Sequence, residues 1–235
     1  MKNNMPYVTC HMVTSIDGKV TGKFLRSNSG ILASEVYYDI NRKLKGDAFA
    51  CGRVTMEESF TGGFKPDLSG FSGADIPHED FIACNHDYYA VSFDRHGLVG
   101  WTEGFIHEED EGYDNCHIIE VLTEDVPAEN LAYYRSIGVS YIFAGRNDTD
   151  ITAALRKLYS LFGIKRLMLE GGSIINGAFF RADAVDELSL VTAPVIADKD
   201  DKPLFSESIF REYAAHYSEM RDNGIMWLRY RDKGE

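Results

Sequence analysis

Leu167 to Phe180 reads LMLEGGSIINGAFF, and this stretch decides the fold. Leu167, Met168 and Leu169 follow one another in a strand predicted from Lys165 to Glu170. An apolar run without alternation is the mark of a parallel strand covered by helices on both faces. Gly171 and Gly172 then turn the chain, and Ser173 is placed to cap a helix whose Ile174, Ile175, Ala178 and Phe179 face inward. Working outward, Val139 to Ala144 predicts a strand ending in Gly145, and Ile151, Ala154, Leu155, Leu158, Leu161 and Phe162 share one helical face. Strand, helix and strand make a βαβ unit. The fold class expected is α/β, with a mostly parallel central sheet flanked by helices.

Other segments extend the pattern. Tyr7 to Val13 predicts a buried strand, followed by the turn Ser15, Ile16, Asp17, Gly18. Ser34 is placed to cap a helix carrying Tyr37, Ile40, Asn41 and Leu44 at i, i+3, i+4 and i+7, with Gly46 to stop it. A strand from Asp47 to Cys51 leads into Gly52, and Tyr88–Phe93 and His117–Leu122 predict two more. Asp186–Ile196, His216–Met220 and Met226–Tyr230 predict three final strands without helices between them, which favours antiparallel strands at the C-terminal edge. Residues 61–80, TGGFKPDLSGFSGADIPHED, read as a functional loop or as an insertion, and both readings stand.

At 235 residues the chain has room for one large α/β domain or two small ones, and a single domain over 1–235 is the expectation. Hydrophobic residues at 44% and charged residues at 26% exclude the disordered and membrane classes. No apolar run approaches the roughly 20 residues of a spanning helix, and MKNNMPYV lacks a signal-peptide core, so a cytoplasmic protein is expected. A formal net charge of −13 disfavours nucleic acid and anionic membrane as partners, leaving any anionic ligand to a local site. Cys10, Cys51, Cys84 and Cys116 form no CxxC pair and read as reduced thiols. The seven histidines show no HExxH spacing, His78, Cys84 and His86 read as loop residues, and the acidic stretch Glu108–Asp114 reads as a solvated excursion, so no metal site is expected.

Two places can hold chemistry. A strand, a glycine pair and a helix start at 165–173 would aim backbone N–H groups and the positive end of a helix dipole at a phosphate; the alternative is that the glycines only make a tight turn. Gly52, Arg53, Val54, Thr55, Met56 and Glu57 again follow a strand, at the carboxyl end where ligands of open α/β sheets collect. Arg53 could grip a phosphate with paired N–H groups; read alone, it is a solvated surface charge.

GRVTMEES, residues 52–59, resembles the GRxTxES segment of dihydrofolate reductases. A closer resemblance is to the reductase domain of the bifunctional riboflavin-biosynthesis deaminase/reductase and its stand-alone relatives. These show an SxDGK turn after the first strand, here Ser15 to Lys19, and an EGG segment after a late strand, here Glu170 to Gly172. NGAFFRADAVDELSLVTAPVIAD, residues 176–198, is similar to the segment that follows, and the likeness runs from Pro6 to about Leu204.

The resemblance implies a dihydrofolate-reductase-like fold, a homodimer, and an NADPH-dependent reductase. Its acceptor would be C1′ of a ribosylaminopyrimidine 5′-phosphate. It also implies Asp17 and Glu170 as catalytic candidates, with Asp17 ordering its loop or relaying a proton, and Lys19 with Glu170 on the substrate. Gly52, Arg53, Thr55, Gly145, Gly171, Gly172 and Ser173 are the cofactor candidates. Residues 61–115 depart from the pattern and lack an NPxLTxR-like stretch. The WxLP stretch of folate enzymes is also absent, although Glu35 lies about where those enzymes place a carboxylate. Dihydrofolate reduction, another imine or carbonyl reduction, and NADPH binding without turnover are the alternative readings.

Overall fold

The structure is a computed structural model that describes residues 4–207 and 210–233. They group into two compact units: a middle unit, Gly46–Lys165 with the amino-terminal residues up to Pro6, and a split unit, Tyr7–Lys45 with the residues from Arg166 on.

In the split unit, β1 (Tyr7–Thr14) lies between two parallel neighbours, β7 (Arg166–Leu169) and β8 (Glu187–Thr192), with Cys10 opposite Leu169 and Val13 opposite Val191. β10 (Met226–Asp232) runs antiparallel to β8, and β9 (Tyr213–Met220) antiparallel to β10. The antiparallel C-terminal edge therefore consists of β9 and β10, while β8 joins the parallel set. α1 (Asn28–Leu44) packs Ala33 and Ile40 into a core with Phe24, Val191, Ala193, Ile225 and Trp227. Fully burying a large apolar side chain there contributes about 1.5–3 kcal/mol.

α1 starts earlier than Ser34 predicts. Ser27 is its cap, its hydroxyl accepting the Gly30 N–H at 3.1 Å, whereas the Ser34 hydroxyl donates to the Gly30 carbonyl at 3.0 Å. Gly30, a residue that sequence patterns read as a breaker, is used for close approach: a Cβ there would stand 1.9 Å from the Phe24 carbonyl oxygen. The helix closes on Lys45 in a left-handed conformation (φ 41°), one residue before the glycine expected to stop it.

In the middle unit, β2 (Ala48–Gly52), β3 (Tyr89–Phe93), β5 (Cys116–Leu122) and β6 (Ser140–Phe143) are consecutive parallel neighbours. A two-residue strand, β4 (Phe105–Ile106), adds antiparallel pairing to the start of β5. β3, β5 and β6 are buried along their whole length. The amphipathic α4 (Ile151–Phe162) forms as expected, with Asp150 accepting the Ala153 N–H and Gly163 left-handed (φ 70°) at its end. α3 (Ala128–Ser136) was not legible in the sequence, because it buries only Leu131 and Tyr134, too few positions to set a period. The expected βαβ unit is corrected in its pairing: β6 pairs with β5 and β7 with β1, so the strands flanking α4 are not neighbours.

Residues 61–80 contain one short 3-10 turn, Ser69–Phe71. Their far end is fastened to the middle unit. Asp80 accepts the Phe143 N–H and the Lys157 ammonium, both at 2.9 Å, and the His78 ring stacks on Phe143. The four cysteines are free thiols. Among the described residues no helix is long and apolar enough to cross a membrane, and no group of three His, Cys, Asp or Glu side chains is placed to hold a metal ion.

Candidate functional site

In the split unit, β1 ends in a tight turn built by its own side chains. The Ser15 hydroxyl donates to Asp17 Oδ1 at 2.7 Å and accepts the Lys19 N–H at 2.9 Å. Asp17 Oδ1 also accepts the Ala197 N–H at 3.0 Å. That backbone bond, with the Ser15 hydroxyl, holds the carboxyl below its usual range. An exposed carboxylate kept ionised in this way suits loop ordering better than proton delivery. Lys19 Nζ donates to the carbonyls of Lys199 at 3.0 Å and Asp201 at 2.8 Å, so its ammonium is held in place by the segment that follows β8.

In the same unit, β7 ends by turning Glu170 into a nearly closed environment, 8% exposed. Asn41, itself 4% exposed on α1, donates through Nδ2 to Glu170 Oε1. Gly171 has φ 90°, so the backbone favours glycine there, while the nearest atom to a Cβ on it would be the flexible end of Met12, 2.9 Å away. The Gly171–Gly172 peptide is cis.

α5 (Ser173–Arg181) begins after Gly172, which occupies the cap position without a side chain to offer. Ser173 is therefore the first helical residue and not the cap that its sequence position predicts. Among the described residues its hydroxyl, which is buried, has no hydrogen-bond partner, and neither does the buried Asn176 Oδ1 one turn on. The first N–H groups of a helix have no acceptor within it, and here no capping side chain supplies one. This end of α5 combines N–H groups without an acceptor inside the helix, a dipole end and a buried hydroxyl, which is the chemistry of an anion cradle.

The middle unit holds the remaining candidates. Gly52 ends β2 and caps α2 (Arg53–Met56), and it needs no special conformation there (φ −79°). Arg53 Nη1 donates to Glu57 at 2.7 Å and its Nε lies 4.0 Å from Asp94, so two carboxylates already balance the guanidinium. Lys65 also bonds Glu57. Thr55 is partly exposed in the same turn. Gly145 has φ 97°, and a Cβ on it would stand 2.0 Å from the Asp148 carbonyl oxygen. The tight turn leading to α4 accounts for that glycine by itself.

Two residues of chemical interest were not singled out by the sequence. Asn41 reads as one more inward position on α1, and only its contact with a residue 129 positions away shows its role. Glu120 lies in the middle of β5, fully buried, bonded by the Trp101 indole N–H through Oε1 and unpartnered at Oε2. Burial, with Asp94 nearby, pushes its carboxyl well above the usual carboxylate range. A charged residue inside an otherwise apolar strand is the signal that could have found it.

A family model described as the RibD C-terminal domain matches residues 114–227. Over 81 residues the chain is 40% identical to the 2,5-diamino-6-ribosylamino-4(3H)-pyrimidinone 5′-phosphate reductase of Aquifex aeolicus, taking in 34% of this chain and 36% of that one. The chain thus spans about a third of that relative. Among solved structures, a pyrimidine reductase-like protein from Corynebacterium diphtheriae superposes with a TM-score of 0.69 at 16% identity, over 98% of this chain and 93% of the other. RibD from Acinetobacter baumannii gives 0.67 at 16% identity, over 100% of this chain and 60% of the other. At such identities the solved structures speak for the fold, which is that of the pyrimidine reductases, as the resemblance implied. Residues 114–227, which hold β5 to β9 with Glu170 and the glycine pair between them, are similar to the RibD C-terminal domain family.

Proposed function

We propose that the chain is an NADPH-dependent reductase of a ribosylaminopyrimidine 5′-phosphate, of the kind named for its Aquifex aeolicus relative. The carrying observation is the end of β7, where a nearly buried carboxylate is followed at once by an uncapped helix N-terminus.

The residues there suit the cofactor. The first N–H groups of α5, uncapped by any side chain, and the buried Ser173 hydroxyl match the acceptor oxygens of a pyrophosphate, and Gly172 places no side chain over the helix start. When bound, NADPH supplies the hydride that reduces the sugar C1′. Glu170 holds a substrate hydroxyl or N–H through its carboxylate, and Asn41 keeps that carboxylate from turning away. Lys19, braced by two carbonyls, offers its remaining N–H to the substrate, while Asp17 holds the Ser15–Lys19 turn in shape. In the middle unit, Arg53 and Thr55 are proposed for the 2′-phosphate side, with Gly52 and Gly145 beside them, on the family resemblance. The same resemblance supports a cytoplasmic homodimer acting on a small molecule.

The test is substrate-dependent loss of NADPH absorbance. The 2,5-diamino pyrimidinone ribosylamino phosphate, its 5-amino uracil analogue and dihydrofolate should be offered in parallel. Oxidation with either ribosylamino compound and none with dihydrofolate supports the assignment. Turnover of dihydrofolate alone, or NADPH binding without turnover of any of them, overturns it.

A further inference from the structure

A carboxylate at a strand end, next to a helix N-terminus, is free to rotate about its side-chain bonds and to take up a proton as it leaves water. Glu170 is 8% exposed, and Asn41, 4% exposed, donates its amide N–H to Oε1. The pair joins α1 to the end of β7 across 129 residues. From β1 the titratable neighbour is Cys10, fully buried, whose thiol is kept protonated by burial and by the charge of Glu170. A neutral thiol cannot hold a carboxylate in its ionised form. An amide can, because a hydrogen bond to the charged form favours it and because an amide N–H donates at every working pH. An aspartate at 41, nearly isosteric, could donate only when protonated.

We propose that Asn41 is a positioning residue for the reduction, fixing the orientation of Glu170 through the amide N–H it donates to Oε1. The inference rests on the substrate-side reading of Glu170 given above. Asn41 itself touches no reacting atom.

The experiment is a double-mutant cycle with a titration that does not depend on activity. The parent protein, Asn41→Leu, Asn41→Asp, Glu170→Gln and the Asn41→Leu/Glu170→Gln double variant are compared for kcat and for KM of each substrate over a range of pH. The Glu170 carboxyl is followed by 13C NMR of glutamate-labelled protein, its signal identified by its loss in Glu170→Gln. Asn41→Leu should lower kcat by roughly 10-fold or more, the size of a lost hydrogen bond to a charged group. KM for NADPH should stay within about twofold. In the Glu170→Gln background the same change should cost less than about twofold, because the carboxylate it serves has been replaced by an amide that cannot take its role. The Glu170 titration should move to higher pH in Asn41→Leu and further in Asn41→Asp, where two acids share one site.

A Glu170 signal that titrates identically in the parent and both Asn41 variants overturns the proposal. So does an equal loss of kcat from Asn41→Leu with and without Glu170. If Glu170→Gln retains the parent's turnover while the titration still moves in the Asn41 variants, the role in reduction is overturned and the failure lies with the reading of Glu170, since the pairing itself has been seen.

Discussion

Glu170 and Glu120 are two nearly inaccessible carboxyls, one just past the end of β7 and one within β5, and they differ in where they sit relative to the strand. Glu170 follows the last residue of β7, is 8% exposed, and takes an amide N–H from α1. Glu120 lies in the body of β5, is fully buried, takes only an indole N–H at one oxygen and leaves the other unpartnered. The environment of Glu120 selects its protonation state. Mid-strand burial without a cation favours the neutral acid, and the negative charge of Asp94, a carboxylate held by the N–H groups of Leu98 and Val99, raises Glu120 further. At a strand end the chain turns, side chains from other elements can reach in, and a carboxylate can meet a ligand. A buried acid is therefore a functional candidate by virtue of its position in the fold and not by burial alone.

The sharpest way to break this comparison is to make the same substitution at both places. Glu170→Gln should lower kcat on a ribosylaminopyrimidine phosphate by about 100-fold or more, with NADPH affinity changed little. Glu120→Gln should leave turnover within about twofold. Steady-state kinetics with direct NADPH titration of both variants decides it, and comparable losses at the two sites would abolish the distinction.

The strand-end half of the comparison is sharpened by its neighbour. Gly172 has an extended backbone (φ −72°, ψ −165°) that any residue adopts, so Gly172→Val should fold while placing a branched side chain at the mouth of α5. NADPH binding should weaken by roughly 10- to 100-fold, about 1.4–2.7 kcal/mol. Unchanged affinity, with circular dichroism showing the parent fold, would remove the pyrophosphate from this turn.

A second strand end, at β2, should respond more weakly. Arg53 is already engaged by Glu57 and faces Asp94, so its net pull on a 2′-phosphate should fall at the low end of a charged hydrogen bond, about 1.5 kcal/mol or roughly 10-fold. Arg53→Ala should lose about that much of the NADPH-over-NADH preference and change NADH affinity little. Dissociation constants for both cofactors in both proteins check this, and full discrimination in the variant would place the phosphate contact elsewhere.

The mid-strand half is tested through stability. The folded-state pKa of Glu120 lies well above its usual 4.5, so its favourable contribution is complete below about pH 4.5 and is lost as pH rises toward the folded value. Each pH unit in that window should cost the parent on the order of 1 kcal/mol, because the folded protein must hold a proton that the unfolded chain releases. Glu120→Gln cannot lose that proton and should show a flatter dependence, its advantage in urea midpoint growing from pH 5 to pH 8. Parallel curves would mean that Glu120 is ionised in the fold.

The strand, glycine pair and helix at 165–180, the amphipathic α4 and the Ser15–Lys19 turn were legible because their signals are local. An apolar run, a 3.6-residue period and an Asp-Gly turn each need only a few adjacent residues. α3 and β4 were not, since two buried residues in one and two residues in all in the other carry no period. The start of α1 was misplaced because Gly30 reads as a breaker until Phe24 is seen pressed against it.

The sequence by itself thus determined most of the strands and helices, their α/β class, and the resemblance of Glu170 and its glycine pair to those of a reductase family. The tertiary structure alone decided that Asn41 serves Glu170, that Glu120 is sealed away from water, that Gly145 answers to its own turn, and that the strands flanking α4 take different neighbours. The physical reason is range. Backbone preference and hydrophobic period act over a few residues, whereas desolvation, hydrogen-bond pairing and strand order depend on which distant segments the packed chain brings within a few ångströms.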